Sequence, residues 1–126
     1  MLRDKDTIST VAVKDLAAAR KFYEGVLALR PLETDESDTV TYKTGTSRLL
    51  VYRSQFAGTN QATSVTWSVG AELEEIVNGL KGKGVAFEHY KMPNLELRGD
   101  IHVGPGDFKV AWFKDPDGNI FSLFNR

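Results

Sequence analysis

Two histidines, His89 and His102, are the only imidazoles in this 126-residue chain, and there is no cysteine. Without cysteine there is no disulfide, no thiolate metal site and no cysteine nucleophile. Imidazole is the side chain that changes charge near neutral pH, so the surroundings of these two residues matter first. His102 follows Arg98 and Asp100 in "PNLELRGDIHVGPGD". That stretch reads as irregular, and loops on a rigid scaffold often carry function; its plainer reading is a solvated loop. His89 shares strand parity with Val85 and Phe87, which sets it on a helix-packed side of a sheet. No glycine-rich phosphate loop follows a strand, since "VGPGD" is a turn cluster. No serine-histidine-aspartate array is assembled by the order of residues.

Hydroxyl and aromatic side chains at alternating positions offer a second kind of chemistry. In "ISTVAVKD" (8–15), Val11 and Val13 point one way and Thr10 and Ala12 the other. In "TSVTWSV" (63–69), Val65, Trp67 and Val69 oppose Ser64, Thr66 and Ser68. Trp67 therefore reads as core. "TVTYKTG" and "SRLLVYRS" read as two strands joined around Gly45, and "LRPLETD" as a short extended piece. "VAFEHYKM" reads as one more strand. At the end, "KVAWFK" and "IFSLFNR" flank "DPDGN". Pro116 presets a turn, Gly118 or Asn119 takes the left-handed conformation, and Asp115 and Asp117 bond nearby amides, so the chain closes on a β-hairpin.

The elements that must hold these residues repeat. Asp15 caps a helix running through about Leu27, with Leu16, Ala19, Phe22, Tyr23, Val26 and Leu27 at helical spacing. A second helix carries Leu73, Ile76, Val77 and Leu80 on one side and a solvated charged face on the other, with Gly82 and Gly84 near its end. "QFAGTNQA" (55–62) has no periodicity and reads as a linker. An offset of 54 residues maps Val11 and Val13 onto Val65 and Trp67, and Phe22, Tyr23 and Val26 onto Ile76, Val77 and Leu80. This predicts an internal duplication of a β-α-β-β-β unit, over about 7–54 and 63–126, with extra residues in the second copy. "GTSRLLVYR" is the first copy's counterpart of the closing hairpin.

Length fits one domain with a proper core. The formal net charge of −1 gives no sign of a nucleic-acid surface. "MLRDKDTIST" lacks the apolar stretch of a signal peptide, and no segment approaches a membrane span. The expectation is a soluble, cytoplasmic protein.

The stretches "TVAVKDLAAARKFYEGVLAL", "SVTWSV", "LKGKGVAFE" and "FKDPDGNIFSL" resemble the vicinal oxygen chelate superfamily, the glyoxalase/bleomycin-resistance/dioxygenase group. The resemblance covers nearly the whole chain. It implies an α+β fold of two βαβββ units whose curved sheets enclose a cavity, in a single domain (1–126), and a homodimer. It also implies four metal-ligand positions, usually histidine on each first strand and glutamate on each last. In this chain they fall at Thr10, Ser64, Ser122 and about Leu50. Neutral hydroxyls and an aliphatic chain do not replace imidazole and carboxylate, so no metal and no cofactor is expected.

The cavity-facing set implied by alternation is Thr10, Ala12, Leu50, Tyr52, Ser64, Thr66 and Ser122, with Arg48, Phe124 and Trp112 on the same parity and His102 in its loop. Hydroxyls among aromatic walls suit a largely apolar pocket with a few orienting polar groups; the alternative is an interior filled by its own side chains. The function implied is metal-independent binding of a small, aromatic or drug-like ligand, without nucleic-acid or membrane partners. The alternatives are a metal-dependent lyase, isomerase or dioxygenase of the same superfamily, a metal-independent enzyme using cavity tyrosines or the Arg98–His102 loop, and a non-catalytic dimerisation module.

Overall fold

A computed structural model of the chain describes residues 1–32 and 38–126. It holds two compact units, Met1–Gly58 and Thr59–Arg126. Their boundary falls inside the stretch expected to be a linker.

The first unit runs β1 (Ser9–Val13), α1 (Leu16–Arg20), a π-helical turn (Lys21–Val26), β2 (Arg30–Pro31), β3 (Thr39–Thr44) and β4 (Ser47–Arg53). Its sheet has the order β1-β4-β3-β2, with β1 parallel to β4. Asp15 caps α1 as expected, its Oδ1 accepting from the amides of Ala17 at 2.9 Å and Ala18 at 3.3 Å. The single α-helix expected through Leu27 is not uniform. After Arg20 the hydrogen bonding loosens, so that Leu27 N donates to Phe22 O and Leu29 N to Tyr23 O. Gly25, a poor helix former, lies in this wider turn, and Ala28 then takes a left-handed φ of 58° to leave it. Part of the extended piece expected after the helix, residues 33–35, lies outside the described residues.

Tyr23 and Tyr42 are the anchors of this unit. Both are buried, and their rings stack with centroids 5.9 Å apart. The Tyr42 hydroxyl donates to Glu24 Oε2 at 2.9 Å, and Arg20 Nε donates to the same oxygen at 2.7 Å. The Arg20 bond, with a smaller contribution from Tyr42, holds the Glu24 carboxyl below its ordinary range against the opposing effect of burial. Burial, then the hydrogen bond to Glu24, pushes the Tyr42 phenol well above its usual range, so it stays a donor. A carboxyl depressed in the folded state stabilises above its unfolded pKa of about 4.3 and loses that contribution as pH falls through the folded value. Glu24→Gln is therefore expected to cost about 1 kcal/mol at pH 7. In urea titrations the gap from wild type should close below about pH 4; a gap constant from pH 7 to pH 3 would contradict the assignment.

The second unit runs β5 (Thr63–Ser68), α2 (Leu73–Gly82), β6 (Phe87–Glu88), β7 (Glu96–Arg98), β8 (Ile101–Val103), β9 (Lys109–Lys114) and β10 (Ile120–Phe124). The sheet order is β5-β10-β9-β8-β7, with β6 also on β9. Again the first strand is parallel to the last. The offset of the duplication holds in burial: Ala19 and Tyr23 are buried in the first helix, and Leu73 and Val77 at the matching places in α2. The second unit's core adds a ring cluster of Trp67, Phe87, Phe113 and Phe121.

Two expectations are corrected here. "PNLELRGDIHVGPGD" is not irregular, because β7 and β8 form an antiparallel hairpin across Gly99 and Asp100, with Gly99 at a φ of 65°. A Gly-Asp pair between short strands is a known hairpin signal; the flanking prolines and glycines masked it. The strand expected over "VAFEHYKM" shrinks to Phe87–Glu88. β6 pairs with β9 at Phe113 and Trp112, and β8 pairs with the same strand at Val110 and Lys109. The chain of β6 must leave β9 where β8 takes over. Each unit is thus βαβββ in plan and α+β in class, the second enlarged by a hairpin.

Candidate functional site

The side of each sheet away from its helix is the place where the alternating hydroxyls and rings gather. In the first unit the helix side is fixed by Tyr42, which stacks on Tyr23, and by buried Val11, Val13, Val40, Leu49 and Val51. The ladder then puts Thr10 beside Leu50 and Thr41, and Ala12 beside Tyr52 and Thr39, on the open face. Arg48 shares that face and is exposed. Tyr52 is 38% exposed. Thr10 Oγ1 donates to the carbonyl of Ile8 at 3.2 Å.

In the second unit Ile101, Val103 and Lys109 line a cleft with α2 residues, so His102, Val110 and Trp112 point to the opposite, open face. The ladder adds Ser122 and Thr66 beside Trp112. Thr66 Oγ1 and Ser122 Oγ are 2.7 Å apart and satisfy one another. Phe124 lies on the same face and is partly exposed, its ring 6.3 Å from that of Phe108. Trp67 packs against Phe113 and Phe121 in the core, as its parity required.

Ser64 does not occupy the place expected of it. The β5–β10 register pairs Thr63 with Ile120 and Val65 with Phe121, skipping Ser64. An extra residue of this kind reverses the alternation on its N-terminal side. Thr63 consequently takes the open-face position and its Oγ1 accepts from Trp112 Nε1 at 3.1 Å, while Ser64 Oγ donates to the Ile120 carbonyl at 3.1 Å. Thr66, two residues on, is the neighbour of Ser122. Strict alternation has no way to register an inserted residue, so Thr63 was missed.

His102 is likewise not in a loop. It is the central residue of β8 and has no exposed surface. Its Nε2 accepts from the backbone N–H of Tyr90 at 3.0 Å. Its ring meets Trp112 edge-to-face at 4.9 Å and lies 6.4 Å from Tyr90, which in turn meets Trp112 at 5.3 Å. The loop trio separates: Arg98 pairs with Glu96 at 3.2 Å, and Asp100 turns to the helix side. Lys81 first, then His89, holds the Asp100 carboxyl below its ordinary range, at 2.6 and 2.8 Å. His89 is thus on the helix-packed side, as its parity indicated, but exposed. Tyr90 was not singled out by sequence; its parity with Glu88, opposite Trp112 in the ladder, was the available signal.

The cleft between α2 and the β7–β8 hairpin has a volume of about 400 Å³ and an apolar floor of Val77, Ile101 and Val103. Its charges are already matched, Lys81 with Asp100 and Lys109 with Glu74. The open face is the better candidate, because its polar groups are fewer and set among rings.

The positions where the resemblance implies metal ligands hold Thr10, Leu50, Ser64 and Ser122. Tight transition-metal binding needs several nitrogen, sulfur or carboxylate donors. The Ser122 hydroxyl is engaged with Thr66, that of Ser64 with a carbonyl, and Leu50 has no donor. Among the described residues no three histidine, aspartate or glutamate side chains gather to hold a metal ion. The residues present do not fit the group. Among the described residues, no helix is long and apolar enough to cross a membrane.

Comparison with solved structures returns chains of this fold. A glyoxalase family protein from Enterococcus faecalis superposes with a TM-score of 0.72 at 20% identity, covering 98% of this chain and 99% of that one. Lactoylglutathione lyase from Agrobacterium tumefaciens gives 0.70 at 19% identity, with 96% and 92% covered. The fosfomycin resistance protein FosX from Mesorhizobium loti gives 0.68 at 14% identity, with 98% and 92% covered. A comparison with the curated proteins found no match. The family model described as Glyoxalase/Bleomycin resistance protein/Dioxygenase superfamily matches residues 7–123. With both units built to that plan, the chain belongs to the glyoxalase/bleomycin resistance protein/dioxygenase superfamily.

Proposed function

We propose that this chain is a small-molecule-binding member of its superfamily that works without a transition metal and holds a flat, largely apolar ligand on the open face of a sheet. The observation that carries the reading is the closure of the Thr66–Ser122 hydroxyl pair, at 2.7 Å, where the resemblance implies a carboxylate ligand. A pair of neutral hydroxyls offers no negative charge to offset the desolvation of a dication. The same face supplies Trp112 and Phe124 as walls, and the first unit supplies Leu50 and Tyr52 on its own. Aromatic walls with a few orienting polar groups suit a small organic ligand. The lyase and fosfomycin-resistance activities named for the structural neighbours belong to those proteins.

Tag-free protein examined by native mass spectrometry and elemental analysis tests this. The expected result is less than about 0.1 zinc, nickel, iron or manganese per chain, since no three donors converge among the described residues, together with a small organic molecule retained or readily exchanged. About one metal per chain that is lost in Thr10, Ser64 or Ser122 variants would overturn the reading.

A further inference from the structure

On the open face of the second unit almost every polar side-chain group is accounted for. Thr66 and Ser122 bond each other, Trp112 Nε1 donates to Thr63, and Ser68 donates to the Arg126 carbonyl. Glu88 is paired with Lys114 at 3.2 Å. Two groups are left over, the Tyr90 hydroxyl and His102 Nδ1, both buried and without a partner. A buried polar atom without a partner is uncommon in folded proteins and calls for a reason.

The neighbours of the two groups indicate their chemistry. His102 Nε2 stands 3.0 Å from the backbone nitrogen of Tyr90 and 3.1 Å from its carbonyl oxygen; the backbone N–H can only donate, so Nε2 is assigned as its acceptor, which puts the ring proton on Nδ1 and makes that atom a donor. Burial, and then the Glu88 charge, holds the Tyr90 phenol above its ordinary range, so its proton stays in place at neutral pH. The cluster therefore holds an O–H and an N–H donor among three rings. A buried water requires two to four polar partners and typically makes about three bonds. An oxygen carried on a flat apolar frame is satisfied by two donors, while its frame lies against Trp112.

We propose that Tyr90 and His102 are the polar anchor of the ligand site, donating from the phenol and from Nδ1 to a carboxylate or carbonyl oxygen of a flat aromatic ligand. The inference rests on the small-molecule reading above and adds the ligand's chemical class. Neither residue stands at a position where the resemblance implies a metal ligand.

The test uses three probes of one shape, 2-naphthoate, 2-acetylnaphthalene and 2-ethylnaphthalene, which carry an acid, a ketone and no acceptor. Calorimetric titration of the full chain is expected to show the acid or the ketone binding at least about tenfold tighter than the hydrocarbon; which of the two wins separates an anionic from a neutral ligand. Tyr90→Phe should erase about tenfold of that preference and leave hydrocarbon binding within about twofold. Because the hydroxyl removed is unpartnered, the free variant should melt at or above the wild-type temperature. In wild type, the His102 Nδ1 proton should shift downfield in a long-range proton–nitrogen spectrum as the acceptor probe is added, a readout independent of any variant.

Equal binding of all three probes, or a preference untouched by Tyr90→Phe with an unmoved Nδ1 proton, overturns the anchor while the binding reading stands. A free Tyr90→Phe protein that melts lower with its preference intact assigns the hydroxyl to a structural water and also overturns it. Failure of every probe to bind overturns both.

Discussion

Phe121→Ala is expected to cost about 3–5 kcal/mol and to lower Tm by roughly 10–20 °C. Phe121 has no exposed surface. Its ring meets Trp67 at 5.4 Å and Phe113 at 5.6 Å, both edge-to-face, and Phe113 continues the cluster to Phe87 at 5.8 Å. The backbone of β10 is laddered to β5 on one side and β9 on the other. A strand held on both edges cannot slide inward to fill the space, so the cost is the lost transfer energy plus a lasting cavity. Phe124, three residues on, lies on the open face and is partly exposed. Its truncation should cost well under half as much. Urea denaturation of the two variants decides it; equal losses would mean that β10 has the opposite face inward.

That inward face was readable from the sequence because the side-chain period of a strand is two, and a slip of one would turn every residue over. Val11, Val13, Val51, Phe121 and Leu123 all fall where alternation puts them. The helices were readable for the same kind of reason, and the duplication emerged because both helices bury matching positions. The failures are equally specific. Ser64 is skipped by a register shift against Ile120 and Phe121, and an inserted residue leaves no trace in a pattern of apolar and polar letters. The β7–β8 hairpin has strands of only three residues each, too short for alternation to declare itself. His102 therefore read as a loop residue although it is the most enclosed polar side chain of its sheet. Tyr90 escaped because its importance lies in a partnership across the sheet, with His102 and Trp112, rather than in local spacing. Core positions are set by a residue's own hydrophobicity and period. Site positions are set by where different strands meet, and that information is distributed over the chain.

The closing turn shows how far local chemistry alone can reach. Asp115 is 4% exposed, and its carboxylate is the hub of the "DPDGN" turn. Oδ1 accepts from the amides of Asp117 at 3.0 Å and Asn119 at 2.9 Å, and Oδ2 accepts from Asn119 Nδ2 at 2.8 Å. The backbone closes the same loop, with Gly118 N donating to Asp115 O and Asp115 N to Asn119 O, and Gly118 takes a φ of 94°. Asp115→Ala removes the carboxylate and takes from the Asn119 amide and side chain, both in a buried setting, the acceptor they share. Loss of an acceptor by a buried donor costs about 1–3 kcal/mol, and partial hydration of the loosened turn limits the total to about 2–4 kcal/mol. Asp115→Asn keeps one acceptor oxygen and should lose about half as much. Because the turn fixes the register of β9 against β10, the damage should spread to the pairing of Trp112 with Ser122. Hydrogen exchange of the β10 amides is expected to quicken in Asp115→Ala, first at Ile120 next to the turn. An Asp115→Ala protein with wild-type stability and unchanged β10 protection would show that the strands hold their register without the turn, and that the carboxylate is dispensable to the alignment of that face.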